Sequence, residues 1–589
     1  MKCSIIASLL FAIGISLLYG GIFFWKKNDR RLSALQWFTI LAIILGCFHT
    51  LLASIFELVN IPINIVSLAI GDILASIYFW YNILKNREYQ KYEWKMIDTV
   101  FIFFILAGMA YLIKAHYGGT ALRINYASID AGVHFKTALY TVNSQHVYGM
   151  FYDMVWNASF IEFFGAFSSP AQFYHWYVLA DVVNLALAAA MLYSIFRHRM
   201  KDLFTSVMGI ILTVIYVITY PLNVTLFGFT YLGMSITIIG ILIILVEFYL
   251  KDMLPKWFAI MALMLGCLGV FETYVLFAPV VYFSVIFCIF RKQFKNKKLV
   301  SKDTILICLS VFLIPCILGF WFVYGSIFTG GVTVSNAINN EGGCYRELFS
   351  NFIFFIPVAL LGYIMLLKKK ESSLLVFLTP LLVIFIFMIF IMVLKGKAST
   401  YYYYKLYYPI WLVVIVLNYY GILWVSKETK ILSSFIWGIW IVLFVVFSNN
   451  IETRIQTKNP NILSEVQSIH YMDIINFNKT YFYLPTYDEK RLDLYDWSYK
   501  NVISQGKLEV VGAIRYEDNF WFQNITGQDF GDWDFYTMNY KKFESKLKES
   551  SAKYMLVFYD SPVYIEGQDY FNSLTKVYNN DIGFIAEIR

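Results

Sequence analysis

The stretch Asn125-Tyr-Ala-Ser-Ile-Asp130-Ala-Gly-Val-His134-Phe-Lys136-Thr-Ala-Leu139 follows an apolar segment ending near Lys114, and about 60 residues pass before the next apolar run opens near His175. In a chain that is 59% hydrophobic, so long a non-spanning insert is where chemistry is expected. Ser128 predicts a helix start, because its hydroxyl can accept an orphan amide of the first turn. Asp130 then falls in that turn and His134 one turn on, about 6 Å along the axis. The pattern also predicts an amphipathic segment: Ile129, Val133 and Phe135 toward the interface, Asp130, His134 and Lys136 toward water.

Outward from this insert the chain reads as a polytopic membrane protein. Mean hydropathy is +0.61, and only 15% of residues are charged. Apolar runs long enough to cross a bilayer are expected near 4–25, 35–56, 61–84, 97–114, 175–196, 203–221, 229–250, 257–271, 273–290, 304–325, 350–367, 373–394, 406–425 and 431–449, about 14 helices in all. The first reads as a retained span, not a cleaved signal. Aromatic residues make up 19% of the chain, which suits many membrane-interface positions. A net charge of +8 is small for this length and implies no nucleic-acid partner.

Basic residues alternate along the connections, which fixes orientation by the positive-inside rule. The loops holding Lys26 to Arg31, Lys85 to Lys95, Arg197 to Lys201, Lys251 to Lys256, Arg291 to Lys298, Lys368 to Lys370 and Lys427 to Lys430 are assigned to the cytoplasmic side. The 115–174, 326–349 and 395–405 loops, and everything after 450, are assigned outside, in a plasma membrane of bacterial type. Six cysteines lie in or beside spans and only Cys344 lies in an outer loop, so no disulfide is expected.

From about 451 the chain turns polar, with 15 Lys/Arg against 20 Asp/Glu and no spanning run. Strand-like runs (Thr480-Tyr-Phe-Tyr-Leu, Lys507 to Gly512, Lys553 to Tyr559, Gly583 to Ile588) alternate with helix-like stretches at 539–550 and 568–578. Residues 451–589 therefore predict a small extracytoplasmic α/β domain, within normal domain size. Residues 1–96 read as additional N-terminal helices and 97–450 as the transmembrane core.

Candidate site residues fall in three groups. In the insert, Asp130 and His134 are the acid/base candidates, with Arg123, Lys136, Asp153 and Glu162 nearby. The loop Lys395-Gly-Lys397-Ala-Ser399-Thr-Tyr401-Tyr-Tyr-Tyr404-Lys405-Leu-Tyr-Tyr408-Pro409 breaks the charge bias, and an anionic lipid headgroup is a reason for lysines there. The bland alternative is snorkelling of Lys405 beside a tyrosine belt. Among ionisable groups in or beside spans, Asp72 and Asp181 are candidates to pair with each other. Glu247 reads as interfacial, and Glu272 as facing the same cavity as Asp130. Phosphate loops, HExxH, GxSxG and a paired DxD are absent, and no cytoplasmic loop could hold a soluble nucleotide-sugar domain. Sequons stand at Asn157, Asn223, Asn478 and Asn524.

The layout resembles the GT-C glycosyltransferases. The segments that carry the resemblance are Tyr126-Ala-Ser-Ile-Asp130-Ala-Gly-Val-His134-Phe, Tyr220-Pro-Leu-Asn with Gly228-Phe-Thr-Tyr-Leu-Gly233, Tyr401 to Pro409, and the tail ending in Lys576-Val-Tyr-Asn and Gly583-Phe-Ile-Ala-Glu-Ile. The match in architecture covers about 97–589, with the acidic loop after the fourth span instead of the first. The resemblance implies an inverting transfer of a hexosyl or pentosyl group from a polyprenyl-phosphate carrier to an extracytoplasmic glycan, lipid or protein acceptor. It implies Asp130 as general base, His134 as its helper, and Lys405 as the phosphate-binding base, with Arg123 and Arg346 as further possibilities. Lys136, Lys397, Glu272 and Tyr404 complete the expected substrate contacts. No cofactor is assigned; a second loop acid, which some members use for a divalent metal, is not evident. Two other readings stay open: a transporter or flippase of lipid-linked sugars or glycans using Asp72, Asp181 and Glu272, and a non-catalytic membrane scaffold.

Overall fold

The computed structural model describes residues 4–27, 32–128, 130–147, 152, 154–299, 301–324, 339, 342–346, 355–368, 373–428, 437–438, 473–483, 487–506, 510–528 and 539–588. Helices dominate: α1 (Ile5–Phe24), α2 (Ala34–Leu58), α3 (Ile65–Asn86), α4 (Met96–Ala115), α5 (Asp130–Ser144), α6 (Val155–Gly165), α7 (Tyr174–Arg197), α8 (Leu203–Ile218), α9 (Tyr220–Phe227), α10 (Thr230–Leu250), α11 (Lys256–Thr273) and α12 (Ala278–Lys295). They continue with α13 (Lys302–Cys308), a π turn, α14 (Ile314–Tyr324), α15 (Ile356–Lys368), α16 (Leu375–Leu394), α17 (Thr400–Lys405) and α18 (Tyr407–Glu428).

Among the described residues, 12 helical segments are long and apolar enough to cross a membrane, and each coincides with an expected span. The expected span at 350–367 appears as the 13-residue α15. The one at 431–449 lies outside the described residues apart from Trp437 and Gly438.

The basic connections are tied to one another, which places them at one end of the bundle. Lys26 pairs with Glu88 at 2.9 Å, and the Lys95 ammonium donates to the Met200 carbonyl at 3.3 Å. Arg199 and Lys251 both hold Glu247, Lys292 holds Asp252, and Lys256 holds Asp303. Just inside this end, the Arg197 guanidinium grips both oxygens of Asp98, at 2.5 and 2.8 Å, and the Tyr193 hydroxyl donates to the same carboxylate at 2.7 Å. Arg197 is 2% and Asp98 0% exposed, so each needs the other: removing one partner leaves a buried charge uncompensated.

Within the bundle, Asp72 and Asp181 do not pair with each other, contrary to expectation. Asp72 is held by the His49 Nε2 at 3.1 Å. Asp181 accepts from the Tyr126 hydroxyl at 2.7 Å, from Thr230, and from the Asn157 amide at 3.5 Å. An imidazole, two hydroxyls and an amide from other parts of the chain satisfy these acids, and no sequence spacing announces them.

The break between α8 and α9 positions the site. Pro221 cannot supply an amide to α8, and Thr219 leaves helical geometry (φ −100°, ψ −116°). The freed carbonyls of Ile218 and Thr219 accept from the Asn478 amide at 2.9 and 2.7 Å. Asn478 in turn accepts from Asn223, which accepts from the Tyr408 hydroxyl at 2.6 Å. All four sequon asparagines (Asn157, Asn223, Asn478 and Asn524) are buried, so their amides serve packing.

The tail holds α19 (Asp473–Phe482), α20 (Glu489–Asn501) and α21 (Tyr516–Thr526), with a four-stranded sheet. Taking Leu32–Ser33 and Tyr92–Glu93 as β1 and β2, its strands are β3 (Val510–Ala513), β4 (Tyr554–Phe558), β5 (Thr575–Asn579) and β6 (Gly583–Glu587), in the order β3-β4-β6-β5. β3 and β4 run parallel and the other pairs antiparallel. Two expectations are corrected. The strand-like Thr480 run opens at the end of α19, because Ile474, Phe477, Asn478 and Tyr481 recur at helical spacing and dock on α9. The stretch 568–578 is a short helix, Gln568–Ser573, followed by β5. The tail packs on the insert: the Tyr487 amide donates to the Ile124 carbonyl at 3.0 Å, and α21 sits on α5.

Candidate active site

Helix α5 starts at Asp130, and the Ser128 hydroxyl accepts the Asp130 amide at 3.1 Å. The Asp130 carboxylate is half-buried in the first turn, where the helix dipole favours its charge. The expected faces of α5 are partly reversed. His134 is 6% and Phe135 1% exposed, while Val133 is 47% exposed and Lys136 also faces outward. Val133 and Phe135 lie about 200° apart on a helix and cannot share a face. Ile129 is outside the described residues.

The His134 Nδ1 donates to the Gly228 carbonyl at 2.9 Å, and its ring meets Tyr231 edge-on at 4.5 Å between centroids. This fixes the tautomer: Nδ1 carries the proton, and Nε2 is left as an acceptor. Burial holds the imidazole down to a pKa of about 3; the bond to the Gly228 carbonyl opposes that, and the charge of Lys405 adds to it. His134 is therefore neutral at physiological pH.

Lys405 ends α17 and is fully buried. Its ammonium donates to the Tyr401 hydroxyl and lies over four rings: Tyr401 at 4.0 Å, Phe229 at 4.4 Å, Tyr274 at 5.4 Å and Tyr231 at 5.6 Å. Such contacts are each worth about 1–2 kcal/mol when desolvated. No acidic side chain among the described residues is within ion-pair distance of it. Asp130 is nonetheless close enough for its charge to act on Lys405, Tyr152, Tyr231 and Tyr401. Beside the ammonium, Tyr152 stacks on Tyr231 at 3.7 Å and 7°, and Tyr274 lies near-parallel to both. Asp130 and His134, one helical turn apart, and Lys405, distant along the chain, thus border one aromatic cluster.

The other expected contacts lie elsewhere. Arg123 pairs with Glu489 of the tail, and Lys136 and Lys397 are exposed. Arg346 is exposed and donates to the Gly342 carbonyl at 2.9 Å. Tyr404 packs its ring on Tyr403 and Tyr407. Glu272 accepts from the Ser54 hydroxyl on α2 at 2.9 Å. Asp153 is outside the described residues, and Glu162 caps α3 by accepting the Ile65 amide at 2.6 Å. Phe229 and Tyr231 stand in the Gly228–Gly233 segment without an expected contact and Tyr274 carries no expectation, because nothing separates three aromatic rings at span ends from the many in a chain with 45 Tyr and 54 Phe.

Among the described residues no three His, Cys, Asp or Glu side chains form a metal-ligand set. Among the described residues, the groups around Asp130 are phenols, an ammonium and an imidazole already turned toward a carbonyl.

No family model matches this chain, and neither does any curated protein. Among solved structures, the chain is similar to the archaeal oligosaccharyltransferase AglB from Archaeoglobus fulgidus, in complex with an inhibitory peptide and a dolichol-phosphate. The likeness covers 81% of this chain and 71% of that one, at 12% sequence identity and a TM-score of 0.41.

Proposed function

We propose that this protein is a membrane glycosyltransferase that moves a sugar from a polyprenyl-phosphate carrier to a hydroxyl or amide acceptor at the end of the bundle opposite the basic loops. One observation carries the reading: a buried ammonium with no carboxylate partner among the described residues, caged by aromatic rings, within electrostatic range of a half-buried carboxylate on a helix N-terminus. A buried charge without a counter-ion is costly, and an anionic ligand offsets the cost. A carrier phosphate displaces the Tyr401 hydroxyl and the ring contacts, and takes the Lys405 ammonium as a charge-assisted donor.

The acceptor then attacks the anomeric carbon from the face opposite the phosphate. Asp130 takes the acceptor proton as the new bond to the anomeric carbon forms. The bond from that carbon to the phosphate oxygen breaks, the configuration inverts, and the carrier leaves as a phosphate monoester. That leaving group carries one more negative charge than the diester, and Lys405 stabilises it. His134 cannot donate to Asp130, since its one proton is spent on Gly228; its Nε2 orients the acceptor instead. The Tyr152–Tyr231–Tyr274 stack offers the sugar a flat apolar surface.

The acids a transporter would use are held by local partners: Asp72 by His49, Asp181 by Tyr126 and Thr230, Glu272 by Ser54. The test is incubation of the purified full chain with labelled polyprenyl-phosphate sugars and a mixed pool of acceptors. Label moving from the lipid to the acceptor phase supports the reading, and label crossing a vesicle membrane while still on its lipid speaks for transport.

Gly228 gives a second check. Its φ is +70°, and a Cβ there would lie 2.4 Å from the Ala131 Cβ on α5. Gly228→Ala should push α5 aside and break the His134 bond. Displacements of this size cost about 10²-fold. We expect that loss in transfer rate, with membrane yield little changed; an unchanged rate would detach α5 from the chemistry.

A further inference from the structure

At the end of the bundle that gathers the basic loops lies a cavity of about 730 Å³, between the start of α8 and the last turns of α15 and α18. Its lining is divided. On α18, Tyr420, Leu423, Trp424 and Lys427 recur at helical spacing and form one stripe that runs from apolar to charged. Met365 and Leu366 on α15 face the same space. The back is closed where α15 and α18 touch, since a Cβ on Gly362 would lie 2.0 Å from the Leu417 carbonyl oxygen.

The rim is cationic. Arg199, Lys201, Lys251 and Lys427 line it, against the carboxylates of Asp202 and Glu247. Glu247 is shared by Arg199, Lys251 and His198, and Asp202 is occupied in capping α8, where it accepts the Thr205 amide at 2.8 Å. Lys201 and Lys427 have no acidic side chain within ion-pair distance among the described residues. Two uncompensated ammonium groups over an apolar slot, in a chain with membrane-spanning helices on either side, fit one class of occupant.

We propose that this cavity binds an anionic phospholipid of the surrounding bilayer, with its phosphate at Lys201 and Lys427 and its acyl chains along Leu366, Leu423 and Trp424. The site lies at the other end of the bundle from Asp130 and Lys405 and is independent of the transfer reaction.

The test is native mass spectrometry of the full chain in detergent, titrated with phosphatidylglycerol or with phosphatidylcholine of the same chains. Wild type should retain phosphatidylglycerol at least about tenfold more tightly. Lys201→Gln with Lys427→Gln should weaken it roughly thirtyfold and leave phosphatidylcholine unchanged, the combined worth of two cations at an anionic headgroup. Lys201→Arg with Lys427→Arg keeps the charge and should keep the binding. Equal retention of the two lipids, or a double Gln variant as tight as wild type, overturns the proposal. Displacement of phosphatidylglycerol by excess inorganic phosphate would also overturn it, by showing a free-anion site.

Discussion

Asp130→Asn should lower the rate of sugar transfer by about 10³-fold while leaving the amount of folded protein unchanged, the size expected for losing a general base. The substitution keeps shape and volume and removes only the basic oxygen. The fold should bear it: Ser128, not Asp130, holds the first amide of α5, and a charge in a first helical turn contributes only about 0.3–1 kcal/mol. Donor binding should survive, because the proposed contact to the phosphate is that of Lys405. The measurement is the initial rate at saturating donor, normalised to the monodisperse fraction from size exclusion. A variant that keeps its rate removes Asp130 from the chemistry.

Lys405→Met should separate stability from activity. A buried ammonium among rings, with no carboxylate partner among the described residues, is kept at a cost to the fold, so an apolar chain of similar length should leave Tm unchanged or raise it, with the thioether packing on Tyr401 and Phe229. The same change removes the cation proposed to hold the donor phosphate. Losing one partner of a buried charged contact costs about 2–5 kcal/mol, so KM for the donor should rise by at least about 30-fold and kcat should fall as well. A lysine present only to snorkel or brace the helix gives the reverse, with lower Tm and ordinary kinetics.

Much of this arrangement is legible in the sequence, and the rest fails for identifiable reasons. Span positions follow from apolar length alone, so all 12 long helices were foreseen. The start of α5 at Asp130 follows from Ser128. The direction of His134 does not: a polar ring reads as water-facing, but a carbonyl freed by the αL turn at Gly228 draws it inward. Lys405 stood out because a lysine there broke the charge pattern, whereas its cage is made of aromatics of the commonest kind. The partners of Asp72 and Asp181 are invisible to any local pattern, since His49, Tyr126 and Thr230 reach them from distant parts of the chain. In the tail, Thr480 to Leu484 looks like a strand because three β-favouring aromatics follow one another there, but the four-residue step from Ile474 to Asn478 is the stronger signal.

The most direct measurement is photolabelling of the purified protein with a diazirine-bearing polyprenyl phosphate that carries no sugar, the part shared by every donor of this class. Labelling is predicted to saturate, to map to residues flanking α5 and the segment from Tyr401 to Tyr408, to be lost in Lys405→Met and to be retained in Asp130→Asn. Labelling that does not saturate, or that is as strong in Lys405→Met as in wild type, would contradict the account.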